Sequence, residues 1–102
     1  VGHDLAEQIG PHTDVIYTDC WPSDRDRSEI RSLFLPYQID AAALGRMNEN
    51  GFFLPCPPVT RGQEVTADAM SSPLCQNYAA KAYLLHAQNA IMEFLVHGRR
   101  SD

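Results

Sequence analysis

The order of segments in this 102-residue chain predicts an α/β fold, part of a doubly wound and largely parallel sheet, with a long C-terminal helix. Three observations carry that prediction. Short β-branched and aromatic runs alternate with stretches of helical spacing. Cap residues open the helical stretches and Gly or Pro closes them. The last stretch, from about Ala80 to His97, contains neither Gly nor Pro.

In order, Asp4 with Glu7 three residues later reads as an acidic N-cap box for a short helix in "HDLAEQIG", closed by Gly10 and Pro11. "DVIYTD", Asp14 to Asp19, has strand length and little alternation, as expected for a strand buried on both faces. "SDRDRSEIRSLF" offers Ser23 or Asp24 as cap and places Ile30, Leu33 and Phe34 on one face of a helix stopped by Pro36. Asp40 caps a further helix through about Met47, with Gly51 as the exit. Phe52 to Leu54 is a second buried strand.

Thr66 caps the turn "ADAM" before Pro73, and "CQNY" is at best a weak third strand. The final helix lines up Leu84, Ala87, Ile91, Phe94 and Leu95 in a stripe; Gly98 stops it, and Arg99 and Arg100 suit the negative end of its dipole. With only two or three strands, the chain reads as half of an α/β domain.

Hydrophobic residues at 44% and charged residues at 21% are ordinary for a packed fold. Thirteen acidic against eight basic residues give a net charge of −5, which argues against nucleic acid and against an anionic membrane surface as partners. No apolar run approaches the roughly 20 residues of a membrane span. Cys20, Cys56 and Cys75 are odd in number and form no CxxC pair, so neither a disulfide framework nor a structural zinc site is indicated, and a reducing, cytoplasmic setting is expected. His3, His12, His86 and His97 have no metal-ligand spacing, and no metal or cofactor is called for.

Ligands of open α/β sheets sit beyond the carboxyl ends of the strands, here at "TDCWPSD" and "PCPPVTRG". Asp19 either caps the next segment, the reading its position favours, or accepts a hydrogen bond from a ligand ammonium. Trp21 reads as a packing anchor. Cys56 lacks the neighbouring base or cation a nucleophilic thiol needs, and reads as a polar contact or buried thiol. Pro55, Pro57 and Pro58 remove backbone donors and fix the direction of the loop carbonyls, which can then face a ligand's N–H groups. Arg61 either holds a carboxylate or phosphate or ties the loop to Glu64 or a helix end.

Taken together, "DVIYTDCW", "FLPYQID", "FLPCPPVTRGQEVTADAMSSP" and "LLHAQNAIMEFL" resemble, in order and spacing, the second half of the amino-acid-binding domain of the ornithine and aspartate carbamoyltransferases, especially the ornithine-type branch. The resemblance implies a Rossmann-like acceptor domain and transfer of a carbamoyl group from carbamoyl phosphate to an amino-acid or amine acceptor, by a homotrimer or a multiple of one. It places residues 1–79 in the C-terminal half of the acceptor domain. Residues 80–102 become a helix that packs on a carbamoyl-phosphate domain, whose Ser, Thr, Arg, Thr loop these 102 residues do not contain.

By the same resemblance Asp19 receives the acceptor's α-amino group and Ser23 belongs to the acceptor loop. Cys56 and the Pro57 carbonyl lie at the reacting nitrogen, where a rigid loop suits carbonyls aimed at developing positive charge. Arg25, with Asp24, stands where ornithine-type enzymes carry Met and Gly. Pro55 replaces a histidine, and Leu84 replaces the arginine that reaches the carbamoyl group. Loss of one such donor costs on the order of 10²-fold in rate. Arg25, Lys81 and Arg61 are the candidates to compensate; a catalytically degenerate binding or structural subunit is the alternative. Without the rest of the family's length the chain is expected to be inactive alone.

Overall fold

The computed structural model describes residues 2–23 and 26–98. The elements follow as α1 (Leu5–Gln8), β1 (Val15–Thr18), α2 (Arg27–Phe34), a 3-10 turn (Leu35–Tyr37), α3 (Ala41–Arg46), β2 (Phe52–Pro55), α4 (Ala67–Met70) and α5 (Asn77–His97). β1 and β2 pair in parallel from Val15 beside Phe52 to Thr18 beside Pro55. The third strand expected at "CQNY" is reduced to one bridge on the far edge of β2, where the Phe53 N–H donates to Leu74 O at 2.8 Å and the Gln76 N–H to Phe53 O at 2.9 Å.

Local signals set most boundaries. Asp4, Asp40 and Thr66 cap α1, α3 and α4 with their side-chain oxygens, each accepting a backbone N–H of the first turn. At α2 the cap is Asp26, not Ser23 or Asp24: its carboxylate accepts from the Ser28 and Glu29 N–H groups, so the helix starts at Arg27. The Ser28 hydroxyl and then these two amides hold the Asp26 carboxyl below the ordinary carboxylate range. This contribution is present above the ordinary carboxylate pKa and is lost as pH falls through the depressed value.

Ile16 and Phe53 point from the two strands into a core with Ile39, Leu44, Met47, Val65 and Ala69. Burial on both strand faces is not seen: Val15, Tyr17 and Phe52 are 53%, 63% and 50% exposed on the opposite face. Among the described residues only one layer covers the sheet, so strands composed for two-sided burial show alternation in burial alone. Entry into β2 requires Gly51, because a Cβ there would stand 2.6 Å from the Asp14 carbonyl oxygen and from the Met47 methyl.

α5 begins at Asn77, three residues before the expected start, and ends at Gly98, whose φ of +72° and N–H to Phe94 O make a glycine C-cap. Arg99 and Arg100 lie outside the described residues. No α5 residue is buried. Leu84, Ile91, Phe94 and Leu95 of the expected stripe are exposed, and so are Leu85, Met92 and Val96, making the apolar surface broader than one stripe. The standing helix stretches the molecule to 52 Å and to a radius of gyration of 17.1 Å, against about 13 Å for a compact domain of this length. No helix among the described residues is long and apolar enough to cross a membrane.

Candidate functional site

Parallel pairing brings the carboxyl ends of β1 and β2 together. The ladder runs one bond past the strands, with the Cys56 N–H donating to Thr18 O at 2.9 Å, so the segment from Asp19 leaves the sheet beside the proline loop. Asp19 is exposed; its Oδ1 accepts the Cys20 N–H at 2.8 Å, while the residue also lines a cavity of about 520 Å³ along β1. The local contact to the Cys20 amide thus leaves Asp19 on the cavity lining.

Cys56 is half-buried, and its thiol is directed at the Pro57 carbonyl at 3.8 Å, near the limit for a sulfur donor. The Pro57–Pro58 peptide is cis. Tyr17, absent from the residues singled out in the sequence, shares the Asp19 face of β1 because side chains alternate along a strand. Its cross-strand neighbour is Leu54, so Cys56 lies diagonally opposite on the same face. A hydrogen bond to Cys56 raises the Tyr17 phenol above its ordinary pKa, with the Cys56 charge, Asp19 and Cys20 adding to the rise. The signal that finds Tyr17 is its two-residue offset from Asp19.

Ser23 is exposed and lines a second cavity, of about 440 Å³, with Arg27, Pro58 and Thr60; Cys20 and Trp21 border both cavities. Trp21 packs on Phe34 with ring centroids 6.1 Å apart, in keeping with an anchor. Arg61 is exposed in a turn closed by the Gly62 N–H to Val65 O, where Gly62 has a φ of +91°. Arg61 is not tied to Glu64: the Glu64 Oε1 accepts the Thr60 N–H at 2.7 Å and its Oε2 has no hydrogen-bond partner among the described residues. Glu64 is a second residue the sequence reading left aside as a site group. Leu84, 53% exposed on α5, lines neither cavity, and Arg25 lies outside the described residues.

Cys20 offers a direct check on this cluster. The Asp19 carboxylate, through a hydrogen bond and its charge, pushes the Cys20 thiol above its ordinary pKa. Thiolate is the reactive form. Asp19→Asn should therefore speed iodoacetamide labelling of Cys20 several-fold near pH 8, with the difference closing at higher pH. Equal rates in the two proteins would show that the carboxylate does not act on the thiol.

The family model described as the Asp/Orn-binding domain of aspartate/ornithine carbamoyltransferase matches residues 1–95. The ornithine carbamoyltransferase of Methylococcus capsulatus is 32% identical over 99 residues, spanning 94% of this chain and 33% of that protein. That of Methanosphaera stadtmanae is 42% identical over 82 residues, spanning 78% and 27%. Among solved structures, ornithine carbamoyltransferase from Pyrococcus furiosus superposes with a TM-score of 0.85 at 32% identity, over 96% of this chain and 32% of that one. Ornithine transcarbamoylase from Giardia lamblia gives 0.82 at 28% identity, over 96% and 31%. The chain thus spans about a third of the length of the curated relatives it matches.

Proposed function

The chain belongs to the aspartate/ornithine carbamoyltransferase family through its Asp/Orn-binding domain, and from that premise we propose that it forms the acceptor-binding part of a carbamoyltransferase. The reaction is transfer of a carbamoyl group from carbamoyl phosphate to the amino group of an ornithine-like amino acid or related amine. One observation supports this above the others: Asp19 and the Cys56–Pro57 loop leave adjacent parallel strands side by side. An ammonium on Asp19 then leaves the other end of the same molecule within the range of the proline loop.

In this reading the amine lone pair attacks the carbamoyl carbon, the carbon–oxygen bond to phosphate breaks, and the proton lost by nitrogen leaves with phosphate. The Pro57 carbonyl accepts an N–H of the attacking amine as positive charge grows there, and the Cys56 thiol, directed at that carbonyl, forms the adjacent wall. Ser23 and Arg25 belong to the acceptor loop, and Arg61 is the exposed cation on the loop rim. The proposal includes a homotrimer or a multiple of one, a cytoplasmic setting, and a role for α5 as a helix packed on a carbamoyl-phosphate domain.

A specific observation favours the second reading, a catalytically degenerate binding or structural subunit. Pro55 is buried as the last residue of β2 and Leu84 is an exposed hydrocarbon, so neither supplies the donor that the family has at its position. Phosphate release from carbamoyl phosphate, assayed on the full-length protein across amine acceptors, separates the two. Acceptor-dependent release supports the enzyme. No release with any amine, together with co-purification with an active homologue, supports the subunit.

A further inference from the structure

Glu64 is only 3% exposed, and both its backbone and its side chain are tied. The Ile39 N–H donates to Glu64 O at 3.0 Å, and the Thr66 N–H returns to Ile39 O at 3.0 Å, so the backbone is fixed to the core. The preceding peptide is tied as well, since the Gln38 Nε2 donates to Gln63 O at 2.8 Å. From this anchored base the side chain reaches back to Thr60, whose N–H donates to Oε1 at 2.7 Å. That distance is at the short end for an N–H···O bond, as expected of one made to a carboxylate.

Thr60 closes the proline loop. Pro57 and Pro58 have no N–H to donate, so the loop is held by bonds on either side of them: the Cys56 N–H to Thr18 O at 2.9 Å, and the Thr60 N–H to Glu64. The first continues the strand ladder and needs no particular side chain. The second depends on Glu64. A buried carboxylate whose Oε2 has no hydrogen-bond partner among the described residues is a costly way to close a turn, and such costs are tolerated where function requires them.

We propose that Glu64 is a positioning residue for the transfer reaction: by holding Thr60 it fixes the direction of the Pro57 carbonyl toward the attacking nitrogen. This rests on the acceptor-site reading above and deepens it. In this role Glu64 touches no substrate and acts through the loop. A carbonyl aimed at developing charge works by its direction, and a displacement of about 1 Å at such a group costs up to about 10²-fold in rate.

The test uses the full-length protein and two variants. Glu64→Gln keeps an oxygen for the Thr60 N–H, whereas Glu64→Met keeps a side chain of similar length and removes the acceptor. Glu64→Met should lower kcat on the order of tenfold to a hundredfold and leave KM for carbamoyl phosphate within about threefold, while Glu64→Gln should stay within about threefold of the parent in both. The loop itself is read at Cys56, whose half-buried thiol is directed at the Pro57 carbonyl. Peptide-resolved iodoacetamide labelling of Cys56 should be several-fold faster in Glu64→Met and parent-like in Glu64→Gln. Unchanged kcat in Glu64→Met, equal losses in the two variants, or a lowered Tm with unchanged Cys56 labelling would each overturn the role. A parent protein that releases no phosphate with any amine rejects the transfer reading on its own. The labelling contrast then decides for Glu64: faster labelling in Glu64→Met alone upholds its hold on the loop, and equal rates overturn it.

Discussion

Replacing Phe53 by alanine is expected to abolish the cooperative unfolding transition of this chain. Phe53 is fully buried at the centre of β2, in register with Ile16 of β1, and its own N–H and C=O are bonded on the opposite edge to Leu74 and Gln76. Truncating a buried Phe costs about 3–5 kcal/mol, comparable to the lower end of the about 5–15 kcal/mol that holds a typical domain together. The core here covers one face of a two-stranded sheet, so little reserve absorbs the loss. Phe53→Leu, which retains much of the volume, should keep the transition at a lower temperature. Melting followed by near-ultraviolet circular dichroism distinguishes them, and an unchanged Phe53→Ala melt would contradict the core as described.

The second large effect is functional. In the full-length protein, Asp19→Ala should lower kcat/KM for an amino-acid acceptor by on the order of 10²-fold, the worth of one charge-assisted hydrogen bond. KM for carbamoyl phosphate should stay within about threefold, because the change removes acceptor binding alone. Steady-state kinetics with each substrate varied in turn makes the comparison. Equal loss on both substrates would mean that Asp19 serves the fold of the loop through the Cys20 amide, the contact it already makes.

These residues divide by what a sequence can carry. The caps Asp40 and Thr66 and the stop at Gly98 were legible because each acts within a few residues of itself. The Ser23-to-Asp26 stretch holds several capping side chains, and the choice of Asp26 depends on which carboxylate reaches the Ser28 and Glu29 amides, a matter of backbone path. The exposure of Val15, Tyr17 and Phe52 was not legible, since a strand's own composition does not say whether a second layer covers it. The same holds at the site. Asp19 and Cys56 stood out by position at strand ends, whereas Tyr17 enters only through the register of β1 against β2, and Glu64 only through its burial.

The nakedness of α5 has a consequence for how the molecule comes apart. A helix with no buried residue, no side-chain bond at its N-cap and a glycine C-cap draws its stability chiefly from its own backbone hydrogen bonds, whereas most helices in proteins are stabilised by packing an apolar face. Its helix–coil equilibrium is then decoupled from the melting of the sheet and its core. Winding and unwinding of α5 would proceed on the microsecond scale of short helices, and any surface that settles on the helix would shift that equilibrium and turn two separate transitions into one.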